Sequence, residues 1–155
     1  TNQLGVYGIK GLPDSGNYPG ARHAYVSWTD SLGNFWLFGG PGYSAAGKGS
    51  LNDLWRFDGT NWTWIGGSNS VNQYGVYGTR GVPAVENYPG SREGGVGLTD
   101  SNGNFWLFAG WGYASSSTGY LSELWSYSLA SWDYNSDAVI NWFDFALLAQ
   151  NWLEE

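Results

Sequence analysis

The apolar positions of this chain form short aromatic runs separated by turn residues. The clearest run is FWLFGG at residues 35–40, which follows the turn dipeptide Gly33-Asn34. A run of this length is too short for a buried helix, and it carries no polar positions at helical spacing. The pattern therefore predicts a buried strand that is entered through a hairpin turn.

The same run returns 70 residues later as FWLFAG at residues 105–110. The match extends over most of the chain: NYPG recurs at 17–20 and 87–90, and TDS recurs at 29–31 and 99–101. About half of the paired positions are identical, and no gap is needed. Self-similarity at a fixed period indicates a repeat architecture, in which each unit buries its faces against its neighbours.

Within the first repeat, residues 1–70, we predict a connection over 1–21 and a sheet over 22–65. The expected strands are 22–29, 35–40, 51–58 and 61–65, with a loop over 41–50. In the second repeat, residues 71–132, the connection is 66–91 and the sheet is 92–132. Its expected strands are 92–99, 105–110 and 121–128, and its fourth strand is vestigial because the pattern changes after Trp132. Each repeat thus predicts an antiparallel four-stranded meander.

Composition agrees with an all-β fold of short strands. Of the 155 residues, 19% are aromatic and 25 are glycine, so bulky core residues alternate with tight turns. A net charge of −7 with only six Lys and Arg residues excludes a nucleic-acid binder.

Without cysteine there is neither a disulfide nor thiolate chemistry. No apolar run reaches transmembrane length and no signal peptide opens the chain, which starts in mid-repeat; we expect a trimmed form that has lost its leader and earlier repeats.

The arrangement of these motifs resembles a kelch repeat. The resemblance rests on an arginine near the start of the first strand, the aromatic run that ends in Gly39-Gly40, and the segments LNDLWRFD at 51–58 and NWTWI at 61–65. It covers residues 22–65 and 92–132, where Ala109-Gly110 departs from the diglycine by one methyl group. In the kelch family each repeat forms one blade of a β-propeller, so the resemblance implies two blades.

Two blades are too few for a closed propeller, which usually has at least four. The two outer aromatic faces of the blade pair would remain exposed to solvent, and an exposed apolar surface of this size on a monomer is an association surface. We therefore expect other copies of the chain to supply the missing neighbours. They would either close a ring or add head to tail into a filament.

The C-terminal segment from Asp133 has the ligand order of an EF-hand type calcium loop. Oxygen side chains fall at positions one, three, five, nine and twelve, and position seven offers a backbone carbonyl; the predicted ligands are Asp133, Asn135, Asp137, Val139, Asn141 and Asp144. Calcium prefers six or more hard oxygen ligands, so the segment predicts a Ca²⁺ site followed by an amphipathic helix. An Asx-rich turn that caps this helix is the alternative, because Ala138 replaces the usual glycine and Asp144 is shorter than glutamate.

This loop and the following FALLAQNWL segment resemble one half of a dockerin. Dockerins are calcium-binding modules at the C-termini of secreted bacterial proteins, and they bind cohesins. The resemblance implies residues 133–155 as a half-module, an extracellular or cell-surface location and a cohesin-like partner. A half-module can instead pack on its own blade or on the next subunit.

Several aromatic side chains are candidates for stacking on sugar rings or for contacts between blades: Tyr18, Trp28, Tyr43, Trp111, Tyr113 and Tyr120. Candidates for catalysis are weak. The only histidine, His23, has Glu93 as its counterpart, and one histidine without cysteine cannot support copper-oxidase chemistry of the galactose-oxidase type. The repeat-paired carboxylates Asp53 and Glu123, and Asp30 and Asp100, suggest turn formation or pairing with Arg22 and Arg92.

These observations favour a non-enzymatic, secreted structural or adhesive protein that self-associates through its blade faces, with calcium stabilising the C-terminal motif. The alternative is a carbohydrate-binding or protein-binding propeller module of a larger secreted protein.

Overall fold

The structure is a computed structural model that describes residues 2–129. These residues contain ten β-strands and no helix. The strands are β1 (Val26–Thr29), β2 (Phe35–Tyr43), β3 (Lys48–Phe57), β4 (Trp62–Gly66), β5 (Arg92–Glu93), β6 (Val96–Thr99), β7 (Phe105–Phe108), β8 (Trp111–Tyr113), β9 (Thr118–Tyr120) and β10 (Leu124–Tyr127). All of their pairings are antiparallel, so the mainly-β prediction is confirmed. The predicted C-terminal helix lies outside the described residues.

The first repeat forms one four-stranded sheet in the order β1-β2-β3-β4. The turn between β1 and β2 is set by Asp30, whose Oδ1 accepts hydrogen bonds from the backbone N–H groups of Leu32 and Asn34 at 3.0 and 2.9 Å. Gly33 has a φ of +83°, a conformation that glycine adopts without strain. This local chemistry fixes the register that pairs Trp28 with Trp36.

The prediction of a loop over residues 41–50 is wrong. β2 continues to Tyr43 and β3 begins at Lys48, so only four residues form the turn of a long hairpin. Gly39 and Gly40, with φ of +66° and +85°, form a bulge within β2, where the register shifts between Phe38 and Gly40. Glycine pairs are typical of bulges as well as of strand ends, and the sequence alone did not distinguish the two.

The second repeat is divided into two three-stranded sheets, β10-β7-β6 and β5-β8-β9. The predicted continuous strands over 92–99 and 105–110 are therefore too long. Gly94, with φ of +65°, and Gly95 separate β5 from β6, while Ala109 and Gly110, with φ of +59° and +103°, separate β7 from β8. The counterpart of β4 lies outside the described residues.

The two repeats share one apolar core. Buried side chains of β1, β2 and β3 meet buried side chains of β7; the cluster comprises Val26, Trp28, Trp36, Phe38, Leu54, Phe105 and Leu107. On the opposite side of the first sheet, a second cluster joins Leu37 and Trp55 to Tyr7 of the N-terminal connection. The Tyr7 ring lies 4.8 Å from Trp55 and 5.1 Å from Trp64 between centroids. The connection therefore covers part of the outer side of its own sheet, around Leu37 and Trp55, whereas Phe35 and Phe57 on that side stay half-buried.

Candidate functional site

The same sheet face is buried in the first repeat and open in the second. In the first repeat, the face is formed by Val26, Trp28, Phe38 and Leu54, which we call the covered face; these side chains are only 3–8% exposed. Their counterparts in the second repeat are Val96, Leu98, Phe108 and Leu124, which we call the exposed face. These are 47–60% exposed. An open apolar surface of this kind is a candidate interaction site.

The exposed face is a continuous row because of the strand register. Val96 on β6 pairs with Phe108 on β7, and Phe108 pairs with Leu124 on β10. In the first repeat, Val26 pairs with Phe38, and Phe38 with Leu54, in the same manner. Side chains at such paired positions lie about 5 Å apart on one side of a sheet. The two rows are therefore structural equivalents with different surroundings.

The joint between the repeats shows how such a face is covered. Trp28 stacks on Phe105, with ring centroids 5.3 Å apart and planes inclined by 12°. Its indole nitrogen donates a hydrogen bond to the Trp106 carbonyl at 3.2 Å. Gly97 lies directly against this pair: a Cβ atom there would be 2.8 Å from Trp28 Nε1 and closer still to Val26. The second repeat therefore receives the covered face on its opposite side, where glycine makes room for the indole.

A buried ion pair joins Arg22, which precedes β1, to Asp53 of β3 in the first repeat. Arg22 binds Asp53 through two hydrogen bonds of 2.6 and 2.8 Å, and neither side chain is more than 3% exposed. Asp53 also accepts hydrogen bonds from the Tyr7 hydroxyl at 2.6 Å and from the Trp55 indole at 2.8 Å. Burial raises the pKa of Tyr7 well above its usual range, and the Asp53 carboxylate raises it further. The predicted pairing of this aspartate with Arg22 is confirmed.

The second repeat has a more open version of this pair. Arg92 donates one hydrogen bond of 2.8 Å to Glu123, whose side chain is 24% exposed. Tyr77 donates a hydrogen bond to the same carboxylate oxygen at 2.7 Å. Burial of the hydroxyl, together with the hydrogen bond to Glu123 and the charge of that residue, raises the pKa of Tyr77 to about 12. Partial burial opposes ionisation of Glu123, but hydrogen bonds from Tyr77, its own backbone and Arg92 together lower its pKa. The predicted pairing of Glu123 with Arg92 is also confirmed.

Asp30 and Asp100 have turn-forming roles. Each accepts a hydrogen bond from the indole of the tryptophan that follows its turn, Trp36 at 2.8 Å and Trp106 at 2.9 Å. Hydrogen bonds from Asn104 and then Trp106 lower the pKa of Asp100 to about 2. Burial alone would raise the pKa of Asp30, but the indole, amide and backbone donors around it lower the pKa instead. The turn-forming interpretation is confirmed.

The predicted aromatic candidates have different surroundings. Trp28 belongs to the core between the repeats. Tyr43 and Tyr113 are half-buried, and Tyr113 contacts Tyr74 with centroids 5.3 Å apart. Trp111 and Tyr120 are exposed, and they pair with each other across β8 and β9. The sequence predicted open blade faces but not the residues of the exposed face, because no single one of them is unusual. The substitution of Leu98 for Trp28 between the repeats was the available signal.

The remaining candidates offer no chemistry within the described part of the chain. His23 is exposed at the sheet edge, and residues 2–129 contain no group of three or more His, Cys, Asp and Glu that could hold a metal. The predicted calcium ligands lie outside these residues. In addition, none of residues 2–129 belongs to a helix of the length and apolarity that a membrane span requires.

No protein-family model matches this chain, and no curated protein matches it significantly.

Proposed function

We propose that this chain is a non-catalytic structural or adhesive protein that self-associates, with a second copy covering the exposed face. One observation carries the proposal: the exposed face is open, whereas its structural equivalent in the first repeat is buried by another repeat of the same chain. Within the molecule, the second repeat is the surface that covers such a face. A second copy of the chain offers the equivalent surface on its first repeat.

The receiving surface in the second copy is the outer side of the first sheet. Within the chain, the covered face rests on Phe105, Leu107 and Tyr127. The equivalent positions in the first repeat are Phe35, Leu37 and Phe57. Leu37 is buried beside Tyr7, so the part left open for a second copy is around the two half-buried phenylalanines. Because this contact joins different surfaces of the two copies, it is heterologous, and it produces either a ring or a head-to-tail filament.

The contact between copies would differ in detail from the joint within the chain. Leu98 is smaller than its equivalent Trp28, and Ser27 replaces Gly97 on the receiving side. The inserted side chain is smaller and the residue that receives it is larger, so the two volume changes partly offset each other. The contact therefore still buries apolar surface, but without the indole stack. We expect the association to be weaker than the packing between the repeats.

A non-catalytic role is supported by the state of the four repeat-paired carboxylates. Asp53 and Glu123 bind arginine, and Asp30 and Asp100 bind turn amides and indoles. Acid–base catalysis requires carboxylates that converge on one substrate with free lone pairs. These four groups instead belong to two structural networks, the arginine pair and the turn, and each network is present once in every repeat.

The remaining parts of the proposal rest on the sequence. The kelch-like blades, the half-dockerin motif with Ca²⁺ bound at 133–144, and the extracellular location follow from the resemblances described above. In this proposal calcium stiffens the C-terminal joint, and the negative net charge keeps the assemblies soluble and apart.

Sedimentation equilibrium of the full chain between about 1 and 100 μM tests the proposal. We expect the average mass to rise above the 16.9 kDa of one chain. Leu98→Asp should weaken association at least about tenfold, because it puts a charge in the centre of the contact. Leu32→Asp is the matched control: Leu32 is 62% exposed in a turn away from the exposed face, so association should be unchanged.

Repeating the series with EDTA tests the calcium part separately. A lower association constant and a lower melting temperature are expected if Ca²⁺ stabilises the C-terminal motif. A wild-type chain that stays monomeric over the whole concentration range would contradict the proposal. Unchanged behaviour in EDTA would contradict only its calcium part.

A further inference from the structure

A groove at one end of the second repeat has an unusual row of side chains. Glu93 on β5 pairs with Trp111 on β8, and Trp111 pairs with Tyr120 on β9. Paired positions on adjacent antiparallel strands face the same side of a sheet, so one carboxylate and two aromatic rings line up across three strands. These three residues line an open groove together with Ala24, Gly94, Ala109, Gly110 and Leu121.

The fold does not require these aromatic rings. The equivalent positions in the first repeat are His23, Pro41 and Ser50, and Pro41 pairs with Ser50 in the same hairpin register as Trp111 with Tyr120. Tyr120 is 94% exposed and Trp111 41% exposed. Within residues 2–129, neither ring contacts another aromatic ring. Side chains of this size that contribute so little to the core are available for a ligand.

The groove is also specific to the second repeat. In the first repeat, backbone of the neighbouring repeat approaches this place: a Cβ on Gly39 would lie 3.0 Å from the Arg92 carbonyl oxygen. The equivalent of Gly39 is Ala109, which carries a methyl group in the left-handed conformation, with φ of +59°. That methyl group hinders the same close approach by another chain, so the groove can stay open when the exposed face is covered.

We propose that this groove binds a neutral oligosaccharide. Aromatic rings suit the C–H-rich faces of pyranoses, and a carboxylate accepts hydrogen bonds from sugar hydroxyl groups. The two ring residues are direct partners on neighbouring strands, with Cβ atoms about 5 Å apart, so both rings are within reach of the same short stretch of a sugar chain. The groove has Glu93 but no cationic side chain, and the net charge is −7, so phosphorylated and sulfated ligands are disfavoured.

This site goes beyond self-association, and it can be tested independently on the full chain. The probes are cellohexaose, xylohexaose, mannohexaose and chitohexaose, each titrated to about 5 mM and followed by calorimetry. We expect at least one of them to bind. Trp111→Ala and Tyr120→Ser, the second of which introduces the residue of the first repeat, should each weaken that binding about fivefold to tenfold.

Two controls separate this site from other surfaces. Tyr25→Ala removes an exposed ring of the first repeat, and it should leave sugar binding unchanged. Leu98→Asp should reduce self-association but leave sugar binding unchanged. The proposal is overturned if none of the four probes binds, or if binding survives Trp111→Ala and Tyr120→Ser in variants whose near-UV circular dichroism shows a folded chain.

Discussion

The two repeats use nearly the same sequence pattern and strand pairing, yet they differ in what surrounds them. Val26, Phe38 and Leu54 form a row that is buried by the second repeat, whereas the equivalent row from Val96 remains open. The difference does not arise from hydrophobicity, because both rows are apolar. It arises because the first repeat has a neighbour on this side. In a repeat protein, the exposure of a face thus reports the presence of a neighbour more than the sequence of the face.

The largest expected effect distinguishes the two ion pairs. Asp53→Ala leaves Arg22 buried without its carboxylate and removes the acceptor of Tyr7 and Trp55, so it should destabilise the fold by about 3–5 kcal/mol. Glu123→Ala also leaves a buried arginine, but the carboxylate it removes is 24% exposed, so water can replace it and the expected cost is smaller, about 1–3 kcal/mol. Urea denaturation of both variants measures the difference. Equal losses would show that the two networks are equally buried in solution.

A smaller effect tests the joint between the repeats. Gly97→Ala places a methyl group against Val26 and Trp28, and the resulting overpacking should cost about 1–3 kcal/mol. Ser27→Ala is the matched change at the equivalent position of the first repeat, where the side chain is exposed, and it should change stability by less than about 0.5 kcal/mol. Urea midpoints of the two variants provide the comparison. If Gly97→Ala is as well tolerated as Ser27→Ala, the repeats do not pack as described.

The smallest effect is a dependence on pH. The pKa of Asp100 is about 2 in the folded chain, below its ordinary value of 3.8. A lowered folded-state pKa gives stability that is present above the unfolded pKa and is lost as the pH falls through the folded value. Stability should therefore decline between about pH 4 and pH 2, and Asp100→Asn should make this decline shallower. Thermal melts at several pH values would show it, and an unchanged slope would argue against the turn network.

Much of this fold is predictable because local chemistry determines it. The aromatic runs predict β2 and β7, and the Gly-Asn turns predict the hairpins that lead into them. The repeat also predicts that Asp53 and Glu123 pair with arginine, since both partners recur at the same spacing. Identification of the blades as kelch-like and of the C-terminal segment as a half-dockerin stays a prediction.

Other features were not predictable because they depend on contacts between distant segments. Gly39-Gly40 forms a bulge in a strand that continues, whereas Ala109-Gly110 ends one, and both pairs contain the same turn-forming glycine. The exposure of Leu98 depends on which side of each sheet meets the other repeat. Nothing in the residue itself distinguishes a core leucine from an interface leucine.

Photo-crosslinking from position 98 tests whether a second copy of the chain covers the exposed face. Benzoylphenylalanine is introduced at this position, and labelled and unlabelled chains are mixed so that mass spectrometry distinguishes links between copies from links within one. Self-association through the exposed face predicts links between copies, with linked peptides from the outer side of the first sheet around Phe35 and Trp62. Links confined to a single chain, for example to residues 130–155, or no links at concentrations where the chain is fully folded, would contradict it.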